Sequence, residues 1–117
     1  FTGFIPYKDM PYYLRIADIA VIPSLWDDPC PNTVLEAQAM SLPIITTRRG
    51  GIPEEVAEDG AILLTTDDSF MDNLTESIRQ LHDDPQKRKE MGEVAYKHSK
   101  YYNSERYAED FFKALCE

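Results

Sequence analysis

The 117-residue chain has only two cysteines, Cys30 and Cys116, and no long run of apolar residues. Two thiols are too few for a disulfide framework or a cysteine-based metal knuckle, so the sequence predicts a reducing, cytoplasmic compartment. A membrane-spanning helix needs about 18 or more consecutive apolar residues, so we expect no span in this segment. The chain does not begin with methionine, and we expect it to be a piece of a longer protein, whose other parts could still contact a membrane peripherally.

Positive charge is also scarce, because 12 basic residues face 21 acidic residues and the formal net charge is −9. This balance argues against nucleic acid or an anionic membrane surface as the main partner. A small anionic ligand stays compatible with it, because backbone amides at the start of a helix can bind phosphate. With 43% hydrophobic and 28% charged residues, the composition predicts one globular domain over residues 1–117.

Short apolar runs alternate with helix-like segments in the first half of the chain. The predicted strands are residues 1–5, 19–22, 43–47 and 61–64, and the predicted helices are residues 11–17, 32–41 and 53–58. The run at 19–22 is apolar on both faces, which is typical of a strand buried in a parallel sheet. The alternation predicts an α/β fold with a Rossmann-like parallel sheet and flanking helices.

The second half of the chain is predicted to be a helical tail, with three apolar stripes at helical spacing. These stripes are Phe70, Leu74, Ile78 and Leu81; then Met91, Val94, Ala95 and His98; then Tyr107, Phe111 and Leu115. Asp84-Pro85 separates the first helix from the second, and Ser104 is the predicted N-cap of the third.

A polar, proline-rich loop follows the second predicted strand and leads directly into a helix. Ligands of open parallel sheets bind beside the carboxyl ends of strands, and the first turn of a helix offers unpaired amides to an anion. The amides of Asn32, Thr33 and Val34 are therefore candidates for binding a diphosphate. Asp28 in the loop and Glu36 one turn into the helix suit hydroxyl groups on either side of the phosphates. A nucleotide sugar carries these groups.

The same residues also have plain structural interpretations. Asp28 can be a turn residue before Pro29, Asn32 an ordinary helix cap, and Glu36 a solvated residue on the helix surface. The spacing of the residues does not by itself separate these interpretations from a binding site.

Four linked segments, in order, resemble the large group 1 family of retaining glycosyltransferases with the GT-B fold. The segment PSLWDDPCPNTVLE carries two acidic residues separated by seven others, Asp28 and Glu36, and the continuation EAQAMSLPII is similar to the family's EAMAxGxPVI. The other three segments are FTGFIPYKDMPYYLRIADIAVIPS upstream, RGGIPEEV with EDG downstream, and DDPQKRKEMGEVA with YNSERYAEDF in the tail. The resemblance covers almost the whole chain.

The resemblance implies a role for each candidate residue. Glu36 would bind the ribose hydroxyls of the nucleotide, Asp28 would contact the transferred sugar, and the three amides at the helix start would hold the diphosphate. Gly50 and Gly51 would let the neighbouring loop approach the ligand closely, because they lack a Cβ atom. The first acidic position is usually glutamate in the family, so Asp28 is a departure; its shorter side chain could change the preferred sugar, or a small backbone movement could compensate. Ser41-Leu42 replaces the usual small-Gly pair, which we expect to affect packing only.

The resemblance further implies that the chain is a truncated donor-binding domain. An acceptor-binding domain would precede it, together with basic residues that neutralise the leaving diphosphate, so we expect no sugar transfer by this segment alone. The whole enzyme would move a sugar from a UDP-, GDP- or ADP-sugar to an acceptor hydroxyl with retention, in a process such as polysaccharide biosynthesis. It would need no cofactor and no metal, and the aspartates are too scattered to predict a metal site.

Two other functions remain open from the sequence. The chain could be a noncatalytic α/β module for interaction or regulation, and the change to Asp28 is the one feature in favour of this. It could also belong to a phosphorylase or a nucleotide-sugar epimerase of related architecture, although the glycine fingerprint of dinucleotide binding is missing.

Overall fold

The computed structural model describes residues 1–116. In chain order its elements are α1 (Met10–Arg15), β1 (Ala20–Ile22), α2 (Asn32–Ala39), β2 (Ile44–Thr47), α3 (Ile52–Glu55), β3 (Ala61–Leu64), α4 (Phe70–Asp83), α5 (Pro85–Ser99) and α6 (Ser104–Cys116). Short 3-10 turns lie at Tyr7–Asp9 and Glu58–Gly60. The predicted alternation of helices and strands is confirmed from α1 onward, with small shifts at the ends of elements.

The three strands form a parallel sheet in the order β1-β2-β3. The central strand β2 is buried at all four positions, and Ile45 pairs with Val21 on one side and Ile62 on the other. Each face of the sheet packs against its own apolar cluster. One cluster is Ala20, Val34, Ala37, Leu42, Ile44, Ile52 and Val56, and the other is Ile45, Leu64, Leu81 and Met91. The predicted α/β class, with helices over a parallel sheet, is confirmed.

Two strand predictions are wrong. Residues 1–6 have no regular secondary structure, and Phe1 and Phe4 are exposed. β1 was expected to be buried on both faces, but it is an edge strand of this sheet and Val21 is 39% exposed. Both differences have one physical reason, which is that the sheet ends at β1 within residues 1–116. No further strand is present there to pair with residues 1–5, and no element beyond β1 covers the side chain of Val21.

The helical tail forms where its periodicity predicts it, with one change at a helix start. Asp84 caps α5, because its Oδ1 accepts a hydrogen bond from the amide of Lys87 at 2.8 Å. The predicted cap of α6, Ser104, is wrong by one residue, since the Oδ1 of Asn103 accepts from the amide of Arg106 at 2.9 Å. α6 buries none of its described residues, so its apolar stripe contacts no core within residues 1–116.

α2 ends in a Schellman motif at Ser41. The amide of Leu42 donates to the carbonyl of Ala37 at 3.1 Å and the amide of Ser41 to that of Gln38 at 3.0 Å. The motif needs a left-handed residue, usually glycine, and Ser41 has φ 59°. The expectation that Ser41 affects packing only is therefore wrong, because the departure also strains the backbone. α5 packs tightly here, since a Cβ on Gly92 would lie 2.1 Å from the Ser41 carbonyl oxygen.

Candidate ligand-binding site

Two loops leave the carboxyl ends of β1 and β2 and lie against each other. We call residues 23–31 the acid loop and residues 48–51 the glycine loop. The hydroxyl of Thr47 donates to the carbonyl of Ser24 at 2.6 Å and that of Thr46 donates to the carbonyl of Ile22 at 2.9 Å. Both threonines are buried, so the side chains of β2 hold the start of the acid loop in place.

The glycine loop contacts the backbone of the acid loop directly. The amide of Gly51 donates to the carbonyl of Asp28 at 3.0 Å. A Cβ on Gly51 would lie 1.9 Å from the carbonyl oxygen of Pro29, and one on Gly50 would lie 2.2 Å from that of Asp28. Gly50 also has φ 51°, a conformation that side chains disfavour. The packing of the two loops therefore requires both glycines, and their closeness to a ligand stays a prediction.

Asp28 is exposed on the acid loop and shapes it locally. Its Oδ1 accepts a hydrogen bond from the amide of Cys30 at 3.0 Å, which is the Asx turn of the plain interpretation. The neighbouring Asp27 forms an ion pair with Arg49 at 3.6 Å, and both side chains are more than a third exposed. Such a pair contributes little stability, but it places the carboxylate of Asp27 beside Arg49, which is partly buried, whereas Arg48 in the same loop is exposed.

The start of α2 leaves two backbone amides free. Its N-cap is Pro31, and no side chain caps the helix, so the plain interpretation of Asn32 as the cap is wrong. The amide of Val34 donates to the carbonyl of Pro31 at 2.9 Å. The amides of Asn32 and Thr33 have no acceptor among residues 1–116. Of the three candidate amides, these two are available to an anion at the positive end of the helix dipole.

Glu36 lies one turn further along α2 and lines a groove of about 320 Å³. Asn32 lines the same groove, as expected for residues four apart on a helix. Glu36 is half-buried, and its carboxylate has no hydrogen-bond or ion-pair partner within the described residues. The structure therefore brings Glu36 and the helix start together on one accessible surface, whereas Asp28 belongs to the adjoining loop.

Tyr102 also lines this groove, and no sequence motif indicated it. It follows α5, and its hydroxyl donates to the carbonyl of Glu54 at 3.2 Å. On its other side Tyr102 lines a larger, mostly apolar cavity of about 920 Å³ that reaches Cys30 and His98. The ring of His98 lies 5.6 Å from that of Tyr102. This tyrosine thus joins the helical tail to the start of α2.

A buried carboxylate beneath the acid loop was also missed from the sequence. Glu55, the last residue of α3, is 3% exposed, and its Oε1 accepts a hydrogen bond from the Sγ of Cys30 at 3.5 Å. Burial raises the pKa of Glu55 to about 7; the bond from Cys30 lowers this pKa and the charge of Asp28 raises it. The only signal in the sequence was a second glutamate in GGIPEE, directly before the apolar Val56.

The described residues offer no obvious metal site. No group of three or more His, Cys, Asp or Glu side chains within residues 1–116 could hold an ion. Cys30 and Cys116 are free thiols. In this part of the chain no helix is long and apolar enough to cross a membrane.

Comparisons with known proteins show what this chain is similar to. The sequence model described as "Glycosyl transferases group 1" matches residues 1–98. Spore coat protein SA of Bacillus subtilis (strain 168) is 33% identical over 95 residues, which cover 81% of this chain and 25% of that protein. The GDP-mannose-dependent monoacylated alpha-(1-6)-phosphatidylinositol monomannoside mannosyltransferase of Corynebacterium glutamicum is 36% identical over 104 residues, with coverage of 84% and 27%.

A solved structure shares the fold. Anabaena HepE, crystallised in complex with UDP-glucose, superposes with a TM-score of 0.78 and 21% identity over 92% of this chain and 30% of that one. The chain thus spans about a quarter to a third of the length of these proteins.

Proposed function

The chain belongs to the group 1 glycosyltransferases, and from that premise we propose that residues 1–117 form the donor-binding domain of a retaining glycosyltransferase. The observation that carries this proposal is the start of α2, where Asn32 and the unpartnered carboxylate of Glu36 line one groove and the amides of Asn32 and the adjacent Thr33 are free. This groove lies on the helix that follows β1, where ligands of parallel sheets bind. UDP-glucose, with which HepE was crystallised, has a diphosphate between two sets of hydroxyls.

Each part of such a donor has a matching group in the site. The diphosphate would bind the amides of Asn32 and Thr33, where the helix dipole favours an anion. Glu36 would accept hydrogen bonds from the ribose hydroxyls, because an ionised carboxylate is a strong acceptor. Asp28 would contact the hydroxyls of the transferred sugar from the acid loop. Gly50 and Gly51 let the glycine loop pack against the backbone of Asp28 and Pro29 in that loop.

In the whole enzyme, the bond between the anomeric carbon and the diphosphate breaks, the oxygen of the acceptor hydroxyl bonds to that carbon with the same configuration, and the hydroxyl proton leaves with the diphosphate. The departing diphosphate needs positive charge, and the glycine loop offers only two arginines, Arg48, which is exposed, and Arg49, which pairs with Asp27 at 3.6 Å. We therefore expect the remaining part of the protein to supply the acceptor site and most of this charge, and we expect the 117-residue chain to transfer no sugar. We propose that the reaction needs no cofactor and no metal, and the two free thiols favour a cytoplasmic location.

A backbone-amide NMR titration of the chain with UDP, GDP and ADP tests donor binding and identifies the base. We expect shifts at Asn32, Thr33 and the two glycines with one of the three nucleotides. A folded spectrum that responds to none of them would contradict the proposal and favour the noncatalytic module. Retention is tested separately, from the anomeric configuration of the product that the whole enzyme forms.

Glu36→Gln gives the sharper test of the ribose contact. Losing hydrogen bonds to a charged acceptor costs about 1.5–3 kcal/mol, so nucleotide affinity should fall roughly tenfold or more. Glu58→Gln is the matched control, because Glu58 is exposed and precedes the amino end of β3, away from the carboxyl ends of the strands. Equal nucleotide affinity of the two variants would show that Glu36 does not bind the ribose.

A further inference from the structure

We propose that Glu55 is a positioning residue for the donor site, which holds the acid loop through Cys30 and takes up a proton when an anionic donor binds. The proton uptake rests on the proposed donor binding, whereas the positioning of the acid loop concerns the ligand-free protein.

Glu55 lies where three parts of the site meet. Its side chain accepts the hydrogen bond from Cys30, which lies two residues after Asp28 in the acid loop. Its backbone carbonyl accepts from the Nε2 of Gln38 in α2 at 3.1 Å. Its helix, α3, directly follows Gly51 of the glycine loop. The side chain of Glu55 therefore contacts the acid loop, while its backbone is tied to α2 and continues directly from the glycine loop.

The environment of the carboxylate disfavours a fixed negative charge. The Oε2 of Glu55 is buried and has no hydrogen-bond partner within residues 1–116, and the Oε1 of Gln38 is in the same condition. A buried ionised oxygen without a donor is costly, so the carboxyl group gains a proton more readily than an exposed one. With burial raising the pKa of Glu55 to about 7, both protonation states are populated near neutral pH.

No cation faces Glu55 among the groups that affect it. Asp28 on the acid loop raises its pKa by repulsion, and the thiol of Cys30, whose own pKa is raised by burial and then by Glu55, is neutral. Tyr102, after α5, has its pKa raised by burial, then by Glu55, Cys30 and Glu54, so it too is uncharged near neutral pH. A diphosphate at the start of α2 would add negative charge two residues from Cys30. It would therefore favour the protonated form of Glu55, and donor affinity would fall as the pH rises.

The positioning role is tested without any ligand. The amides of Cys30 and Asp28 are followed by NMR from about pH 5.5 to about pH 8.5. We expect one titration step in the wild-type protein and in the control Glu54→Gln, whose side chain is exposed on the same helix. The step should be absent in Glu55→Gln. No step in the wild type, or a step that persists in Glu55→Gln, would overturn the positioning role.

A second variant keeps this test decisive if Glu55→Gln does not fold. Cys30→Ala removes the hydrogen bond that lowers the pKa of Glu55, and Cys30 is exposed as a whole, so the fold should tolerate the change. The titration step, followed at the amide of Asp28, should move to higher pH. An unmoved step would show that the two side chains are not coupled.

Proton uptake is tested with UDP-glucose, or with the sugar nucleotide of whichever base the nucleotide titration selects. Such diphosphate diesters keep a constant charge near neutral pH, so any pH dependence of binding comes from the protein. Affinity should fall about threefold or more between about pH 6 and about pH 8 in the wild type and in Glu54→Gln, and should stay nearly constant in Glu55→Gln. Calorimetry in two buffers with different ionisation enthalpies should show proton uptake.

The outcomes separate the two proposals. Binding with a flat pH profile and no proton uptake would overturn the coupling while leaving donor binding intact. Failure of every nucleotide and nucleotide sugar to bind would contradict the proposed function and the proton uptake together. The ligand-free titration would still decide whether Glu55 positions the acid loop.

Discussion

Replacing Ser41 with glycine is expected to raise the free energy of unfolding by about 0.5–1 kcal/mol. Ser41 holds the left-handed position of the Schellman motif with φ 59°, where a side chain costs about 1–2 kcal/mol. Glycine removes that cost but loses about 0.5–1 kcal/mol through its greater freedom in the unfolded chain. The Ser41 side chain is exposed and makes no hydrogen bond within residues 1–116, so no other contact is lost.

Urea and thermal denaturation would measure this gain, which corresponds to a rise in Tm of roughly 2–6 °C for a domain of this size. Ser41→Ala is the matched control, because it removes the hydroxyl but keeps the Cβ in the left-handed conformation, and we expect it to gain nothing. If Ser41→Gly does not stabilise the protein, or if Ser41→Ala stabilises it equally, the backbone at Ser41 is not strained. Nucleotide affinity should be unchanged, since Ser41 lies beyond the opposite end of α2 from the free amides.

The remaining predictions concern Glu55, which lies beneath the acid loop, and Gly51 in the glycine loop. Folding raises the pKa of Glu55 from its usual 4.5 to about 7, so between these values the folded state holds a proton that the unfolded state releases, and stability falls as the pH rises. Urea denaturation at a series of pH values between the two pKa values measures this effect. The difference in unfolding free energy between wild type and Glu55→Gln should change by about 3 kcal/mol across that range. A constant difference would contradict the raised pKa of Glu55. Gly51→Ala should destabilise by about 2 kcal/mol or more, because its Cβ would lie 1.9 Å from a carbonyl oxygen. Gly60→Ala is the milder comparison, because its Cβ would lie 3.1 Å from the backbone nitrogen of Ala95 and a small shift relieves that contact. It should lose less stability than Gly51→Ala, and an equal loss in both variants would argue against the close packing of the loops.

The periodicity of the sequence was sufficient to predict most of the fold. The strand at 61–64 was predicted at its observed bounds, because an apolar run between turn residues is a local signal. The strand at 1–5 was wrong, since a strand also needs a partner at its edge, and the sequence does not show whether one is present. Asn103 and Ser104 are both good caps, so only the hydrogen bond to Arg106 decides between them.

The site was predicted less completely than the fold. The motif indicated Glu36 and the helix start, and the structure places both on one groove. Their roles stay predictions until binding is measured. Glu54 and Glu55 are adjacent glutamates that no pattern distinguishes, yet one is exposed and the other buried. The orientation of α3 decides which of the two lies beneath the acid loop, and this orientation depends on tertiary packing that a single sequence does not reveal.

The close contact between the acid loop and the glycine loop has a consequence for engineering. Because the backbone of one loop occupies the space that any side chain at Gly50 or Gly51 would need, neither loop can be redesigned as an independent part. A chimaera that imports only residues 23–31 from a relative would have to fit a surface shaped for a different backbone. Swaps in this region should therefore move both loops together, and should keep Thr46 and Thr47 of β2, whose hydroxyls bind the start of the acid loop.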